Sequence, residues 1–258
     1  MATTQWARVG RAARDRSPWW LVIILGLLGW MAWLIITEDR YTEAYHRIRP
    51  GLTITIRTTL YGFVLASAIG LIAALGRMSK NTVLRNLARA YIEFIRGIPV
   101  IVLIFGVSFY VIPQFNDWLG RDNNQSFEFR GVVALAIVYG AFLAEVFRAG
   151  IESVPVGQIE AGRSLGLRRT QTLRRIVLPQ AIRNTLPAFG NDFIAMLKDT
   201  ALLSVVAVRE LFQSGRVYAG STFHYREMFF VVTFFYLSLT LALSLLVTGV
   251  ERWLHRDD

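Results

Sequence analysis

Three consecutive residues near the end of the chain, Lys198, Asp199 and Thr200, place an ammonium, a carboxylate and a hydroxyl group inside a weakly apolar segment. Lys198 could receive a carboxylate of a solute, Asp199 an ammonium group or a basic side chain, and Thr200 could supply a hydroxyl. Alternatively, Lys198 and Asp199 neutralise each other or pair with Glu145 in a packed helix bundle. Neighbours in a helix face different directions and need not pair, so the sequence leaves both interpretations open.

The depth of these groups in a membrane favours a role for the deeper pair. If a spanning helix leaves the cytoplasm near Pro187, a rise of about 1.5 Å per residue leaves Asn191 and Asp192 shallow and carries Lys198 and Asp199 roughly 15 Å inward. A charge at that depth costs about 2.5 to 3.5 kcal/mol, which a functional role would justify. The candidate substrate-pathway residues are therefore Asn191, Met196, Lys198, Asp199 and Thr200.

A second candidate site is the basic loop at residues 150–186. Its first helical pattern begins around Pro155 and stops near Gly166, because proline suits a first turn and glycine the position just past the last turn. A second stretch, capped by Thr170, is predicted to end where Pro179 intervenes. The loop therefore contains two short helices that meet at an angle.

Small residues in the first of these helices favour a docking surface. Ala161 and Gly162 would let a partner groove approach the backbone closely, and Glu160 offers a carboxylate to an arginine across the interface. The loop could instead lie on anionic lipid, attracted by its six arginines between Arg163 and Arg183. A DNA-reading helix-turn-helix is disfavoured on a chain held in a membrane.

Several classes of enzyme are excluded by what the sequence lacks. It contains no cysteine, and its three histidines (His46, His224 and His255) are not spaced with acidic residues as metal ligands are. No Gly-x-x-x-x-Gly-Lys-Ser/Thr motif occurs, so the chain cannot itself hydrolyse ATP by that mechanism. We expect no catalytic residue, no metal site and no bound cofactor.

The elements that must position these residues are membrane helices. Hydrophobic residues make up 54% of the chain and charged residues 18%, with a mean hydropathy of +0.43, which indicates a protein embedded in lipid. The net charge of +10 is then explained by basic cytoplasmic loops between membrane helices, and nucleic-acid binding is disfavoured. Uncharged runs lie at 19–36, 58–76, 97–116, 131–144 and 228–250. The run at 131–144 is long enough to span a membrane only if Glu145 is carried into the membrane. The segment at 187–208, which contains charged residues, is a weak candidate for a sixth span.

The distribution of basic residues predicts the orientation. Arginines precede the run at 19–36, as they precede the apolar part of a signal peptide. The run is eighteen uncharged residues long, however, and no small-residue cleavage pattern follows it, so we expect a membrane helix that is not cleaved off. With six spans, one side holds seventeen Lys and Arg against eight on the other, which places both termini and the basic loop in the cytoplasm. We divide the chain into an N-terminal part at 1–50, a helical domain at 51–250 and a cytoplasmic tail at 251–258.

The basic loop also resembles a known signature. Glu160, Ala161 and Gly162, followed by Gly166 and a Leu-Pro pair at 178–179, are similar to the cytoplasmic EAA motif of type I ABC importer permeases. Gly162 replaces the second alanine of the motif, which keeps the surface small but weakens the helix by about 1 kcal/mol. The resemblance implies that the loop contacts the nucleotide-binding subunit through Glu160, Ala161, Gly162, Ser164, Leu165, Gly166 and Leu167.

Further stretches at 91–99, 144–151 and 197–200 look like the polar amino-acid branch of that superfamily, and the likeness covers residues 51–255. Ala201 departs from the serine that many relatives carry. Within these stretches, Glu93 with Arg96 and Glu145 with Arg148 stand three residues apart and are predicted to form local ion pairs. Gly97 and Pro99 are predicted to break their helix.

The resemblance implies an all-α integral membrane protein, with a core of five transmembrane helices preceded by an extra N-terminal helix and short cytoplasmic coupling helices. Its expected partners are two ABC ATPase subunits that bind ATP and Mg, a second permease copy or a similar permease, an external solute-binding protein, a polar amino acid and membrane lipid. The expected location is the bacterial cytoplasmic (inner) membrane, crossed several times. A secondary transporter or channel with a lipid-binding loop is the alternative.

Overall fold

The computed structural model describes residues 19–254, and every regular element in this part of the chain is helical. The predicted cytoplasmic segment at 1–18 and the last tail residues, 255–258, lie outside the described residues. The helices are α1 Trp19–Thr37, α2 Asp39–Ile48, α3 Pro50–Arg77, α4 Thr82–Arg96, α5 Val100–Gly106, α6 Ile112–Trp118, α7 Phe127–Glu152, α8 Val156–Ser164, α9 Arg169–Thr172, α10 Leu178–Asp199, α11 Leu211–Thr222 and α12 Tyr225–Leu254. Wider π-helical turns at Val107–Val111 and Leu173–Val177 join α5 to α6 and α9 to α10, and a 3-10 segment, Thr200–Val206, follows α10.

Five helical segments of the described chain are long and apolar enough to cross a membrane: α1, α2 with α3, α5 with α6, α7, and α12. Four of them contain a predicted uncharged run, and the segment of α5 with α6 covers the run at 97–116 from Val100 onward. Helix α7 carries Glu145 within its length, as the short run at 131–144 requires. The predicted sixth span is not among them, because α10 carries Asp192, Lys198 and Asp199. It is nevertheless helical and packs against both α7 and α12.

Proline shapes two helices without ending them. The prediction that a short helix stops at Pro179 is wrong, because α9, a π-helical turn and α10 form one continuous helix from Arg169 to Asp199. Proline lacks an N–H and its ring clashes with the carbonyl four residues earlier, and the π-helical turn that contains Arg175 widens the helix at that point. The turn at Val107–Val111 does the same before Pro113.

One further boundary differs from the predictions. Arg168, not Thr170, precedes the first turn of α9, and the Arg168 N–H donates to the Gln171 side chain at 2.8 Å. Pro187, near which the span is predicted to leave the cytoplasm, lies inside α10. The predicted break at Gly97 is confirmed, since α4 ends at Arg96 with Gly97 as its C-cap.

Small residues bring α3 and α7 into close contact. A Cβ added to Gly70 would lie 3.0 Å from the Gly140 carbonyl oxygen and 2.8 Å from the Leu143 Cβ. Glycine at such crossings lets membrane helices approach closely. The main core is built on this contact and is completed by Met196 of α10 and Ile95 of α4. Rigid packing of α3, α7 and α10 therefore fixes the residues that the sequence singled out.

A second core joins α2, α11 and α12, with Ile48, Leu211 and Met228 fully or almost fully buried. Glu210 begins α11 there and accepts the backbone N–H groups of Phe212 and Gln213, each at 2.7 Å. Burial raises the pKa of Glu210, and these two N–H donors act in the opposite direction. This core lies at the end of α10 opposite α8, because α11 follows the last residues of α10 along the chain.

Candidate functional site

Helix α8, Val156–Ser164, is the first of the two helices predicted in the basic loop. Pro155 precedes its first turn, and Gly166 ends it with a φ of +79°, a left-handed conformation that only glycine adopts without strain. The boundaries predicted from these two residues are confirmed. The helix therefore stands at a defined place between α7 and the continuous helix formed by α9 and α10.

One face of α8 is open to solvent. Glu160, Ala161 and Ser164 are exposed, and nothing in the described chain lies within 4 Å of a Cβ added to Gly157. Leu165, directly after the helix, is 83% exposed although it is a large apolar residue. A small-residue surface with an exposed leucine at its edge is suited to a partner groove that accepts an apolar side chain.

Gly162 does not belong to that face, and the prediction that it leaves the helix surface bare is wrong. It is buried, and an added Cβ would lie 2.5 Å from the Ile176 Cδ1 and 3.6 Å from the Thr172 Cγ2. Leu167 is half-buried on the same side. Gly162 therefore lets α8 pack against the turn that follows α9, and the exposed surface is built by its neighbours.

Polar contacts tie α8 and the turn before it to α10. The Gln180 side-chain amide donates to the Gln158 oxygen at 2.6 Å, and the Asn184 amide donates to the Ser153 hydroxyl at 2.8 Å. An apolar cluster of Val154, Val177 and Ala181, with Ile159 packed against it, lies beneath them. These contacts hold α8 to α10 at several points.

A second set of contacts joins α7 to α3 near the same end of the molecule. Glu145 accepts from Arg77 of α3 through one carboxylate oxygen and from Arg148 through the other, the latter at 2.7 Å. Arg148 also binds Glu152. The predicted pair of Glu145 with Arg148 is confirmed. Glu145 is therefore the shared acceptor of an ion network that fixes α3 to the end of α7.

The polar residues of α10 form two adjacent stripes, each with members seven residues apart. Asn191 and Lys198 are exposed, whereas Asp192 and Asp199 are half-buried and lie toward α7. The Tyr139 hydroxyl of α7 donates to Asp199 Oδ2 at 2.8 Å. In the described chain Lys198 has no ion pair within 4 Å, and the ion pairs of Glu145 are with arginines. The alternative in which Lys198 pairs with Asp199 or Glu145 is thus contradicted.

Two candidate pathway residues point away from those stripes. Met196 is fully buried, and its terminal methyl carbon would lie 2.4 Å from a Cβ added to Gly62 of α3. Thr200 is also fully buried, and its hydroxyl donates to the Leu197 carbonyl at 2.6 Å. Both side chains are therefore packed in the core, apart from the exposed Asn191 and Lys198.

The structure adds two residues that were not among the predicted site. Tyr139 is the only side chain with a polar group in the run at 131–144, a signal that could have drawn attention to it. Asp192 has a buried carboxylate oxygen without a hydrogen-bond partner in the described chain. Asn191, Asp192, Lys198 and Asp199 form the polar surface of α10, the name used below for these four residues, and Tyr139 of α7 lies against it.

Comparison with curated proteins identifies similar chains of known type. The sequence is 38% identical over 207 residues to the L-cystine transport system permease protein TcyB of Bacillus subtilis (strain 168), covering 80% of this chain and 86% of that protein. It is 35% identical over 202 residues to the glutamine transport system permease protein GlnP of Escherichia coli (strain K12), covering 78% of this chain and 90% of that protein.

Solved structures have the same fold. The chain superimposes on a subunit of an amino acid ABC transporter, crystallised with histidines, with a TM-score of 0.74 and 35% sequence identity over 84% of this chain and 97% of that one. The MetNI methionine ABC transporter, at 22% identity and a TM-score of 0.61, shares the fold. Residues 66–256 match the family of binding-protein-dependent transport system inner membrane components. The chain therefore belongs to that family, as a multi-pass permease subunit of the ABC importer type.

Proposed function

We propose that this chain forms the transmembrane pathway of an ATP-driven importer of polar amino acids. It would pair with a second copy or a similar permease, with two ATPase subunits below and a solute-binding protein outside. ATP and Mg would be bound by the ATPases, and this chain itself would hold no cofactor. Both termini, α8 and the basic loop would lie in the cytoplasm. The observation that carries the proposal is the exposed face of α8, held by hydrogen bonds to the helix that bears the polar surface.

The proposed mechanism is a rigid-body movement. An ATPase groove receives Ala161 and Leu165, and closure of the ATPase dimer displaces α8. The contacts of Gln158 with Gln180 carry that displacement into α10, while the ion network at Glu145 keeps α3 and α7 moving together. The polar surface of α10 would thereby alternate between the two sides of the membrane.

The substrate class rests on the relatives and on the chemistry of α10. Relatives at 35% to 38% identity are named for cystine and glutamine transport. Lys198 provides a cation for a carboxylate, and Asp199 provides an anion for an ammonium group. These are the two charges of an amino-acid backbone. Because Lys198 is exposed and Asp199 is bonded to Tyr139 instead of to Lys198, both charges retain bonding capacity for a solute.

The direct test is uptake of labelled amino acids into proteoliposomes. We expect uptake only when this chain is reconstituted with its ATPase and binding protein and supplied with ATP, and we expect ionophores that collapse proton and sodium gradients to leave it unchanged. Uptake by the chain alone, driven by an ion gradient and abolished by those ionophores, would establish the secondary-transporter alternative and remove the proposal.

Replacement of Asp199 tests the proposed contact with substrate. A hydrogen bond to a charged group contributes about 1.5 to 3 kcal/mol, so we expect Asp199→Asn to lower uptake about 10- to 100-fold per folded transporter. Tyr139→Phe is the matched control, since it removes the observed partner but keeps the carboxylate. We expect it to retain most of the uptake. Equal losses in both variants would mean that Asp199 serves only to hold Tyr139.

A further inference from the structure

Helix α4 carries a charged stripe that the proposed mechanism does not use. Arg89, Glu93 and Arg96 stand at intervals of four and three residues, so they share one face of the helix. All three side chains are exposed. The predicted local pair of Glu93 with Arg96 is absent, because none of the ion pairs within 4 Å in the described chain includes either residue. We call these three residues the α4 stripe.

The α4 stripe extends into the helix bundle, away from the end of α7 that leads into the basic loop. The Tyr91 hydroxyl donates to the Ile137 carbonyl of α7 at 2.6 Å, and the Arg96 guanidinium lies over the Phe142 ring, 6.0 Å from its centroid. Phe142 is ten residues before the end of α7 at Glu152, or about 15 Å of helix. Arg96 therefore reaches the depth of the Glu145 network, and beyond it.

Charges without an ion-pair partner at this depth are costly against lipid. The neighbouring face of α4 shows the contrast, since Leu87 and Phe94 are each more than 60% exposed and are suited to hydrocarbon. When one exposed face of a helix is apolar and another is charged, the two faces lie in different environments: the apolar face suits lipid and the charged face does not. The charged face must therefore meet water or another protein.

We infer that the α4 stripe lines the water-filled route by which the amino acid leaves toward the cytoplasm, a function that rests on the proposed transport activity. Arg96 is placed to receive the carboxylate of the solute and Glu93 its ammonium group. The stripe would thus form a second binding site, on the cytoplasmic side of the polar surface of α10. Because Glu93 and Arg96 form no ion pair with each other, the Glu93 carboxylate and the hydrogen-bond donors of Arg96, whose guanidinium lies over the Phe142 ring, can bind the solute. Their binding is transient, which a route for release requires.

Single cysteines test the inference cleanly, because the natural chain contains none. Glu93→Cys and Phe94→Cys would each be reconstituted with the ATPase and binding protein in lipid vesicles and treated with a charged, membrane-impermeant thiol reagent. Thiolate forms in water but is suppressed in apolar surroundings, so we expect Glu93→Cys to react at least about tenfold faster than Phe94→Cys. Trapping the ATPase dimer in its closed state should slow the reaction at Glu93→Cys, because the inner route then closes.

Each other outcome counts against the inference. An inert Glu93→Cys, or one that forms a disulfide with a second copy, would place the stripe at a protein interface. Equal reaction in open and trapped states would place it at the lipid headgroups. Arg85→Cys, on the same helix near the Ser79 carbonyl, is the control for reagent access. A wild-type complex that transports no polar amino acid would instead remove the proposed function itself.

Discussion

Leu165→Asp is expected to weaken binding of the ATPase to this permease by about 100-fold. A leucine side chain buried at an interface contributes about 2 kcal/mol by area alone, and a carboxylate forced into the same groove adds an unpaired charge, so a loss of about 3 kcal/mol follows. The fold of the permease itself should be unaffected, because Leu165 is 83% exposed in the single chain. The affinity can be measured by titrating purified ATPase into permease-containing nanodiscs.

A matched substitution at the opposite end separates docking from a general effect of charge. Leu119 lies in the turn after α6 and is also exposed, so Leu119→Asp should leave ATPase affinity within about twofold of wild type, as surface substitutions usually do. If Leu165→Asp binds the ATPase as tightly as Leu119→Asp does, the exposed face of α8 is not the docking surface.

Glu145→Leu should cause a marked loss of stability. The substitution leaves Arg77 and Arg148 without their shared carboxylate. Because the three side chains are only partly buried, the cost lies between that of an exposed and that of a fully buried pair, about 1 to 4 kcal/mol. For a chain of this size that corresponds to a fall in Tm of roughly 2 to 16 °C. Thermal unfolding in detergent, followed by circular dichroism, measures the change.

Glu152→Leu provides the control, because the ion pair of Glu152 in the described chain is with Arg148 and its side chain is half exposed. An exposed pair contributes about 1 kcal/mol or less. A double-mutant cycle of Arg77→Met with Glu145→Gln isolates the contact between α3 and α7. A coupling energy near zero would mean that Glu145 does not hold these helices together.

Local patterns in the sequence predict much of the fold. Uncharged runs identify five spans, and Pro155 with Gly166 sets both ends of α8, since these features depend on the composition and backbone of nearby residues alone. The end predicted at Pro179 fails because a π-helical turn absorbs the missing N–H, and no short pattern signals that turn. Helix continuity through proline depends on packing that the sequence does not display.

The sequence identifies which residues belong to the candidate site, but it does not show which way their side chains face. The spacing that marks Glu160, Ala161 and Gly162 cannot reveal that Gly162 faces Ile176, because this requires the position of the following helix. In the same way, Met196 stands beside Lys198 in sequence but faces Gly62 in the core. The partner of Asp199 is Tyr139, sixty residues away. Contacts between distant segments decided each of these cases.

Photochemical capture at Ala161 tests the central claim most directly. Ala161→Cys would carry a benzophenone group in the cysteine-free chain, in a reconstituted complex that still transports. We predict that irradiation links this position to the ATPase subunit, and that the same label at Leu119→Cys does not. A transporting complex in which the label at Ala161 captures no ATPase, or captures only lipid, would contradict the account that α8 couples ATP hydrolysis to transport.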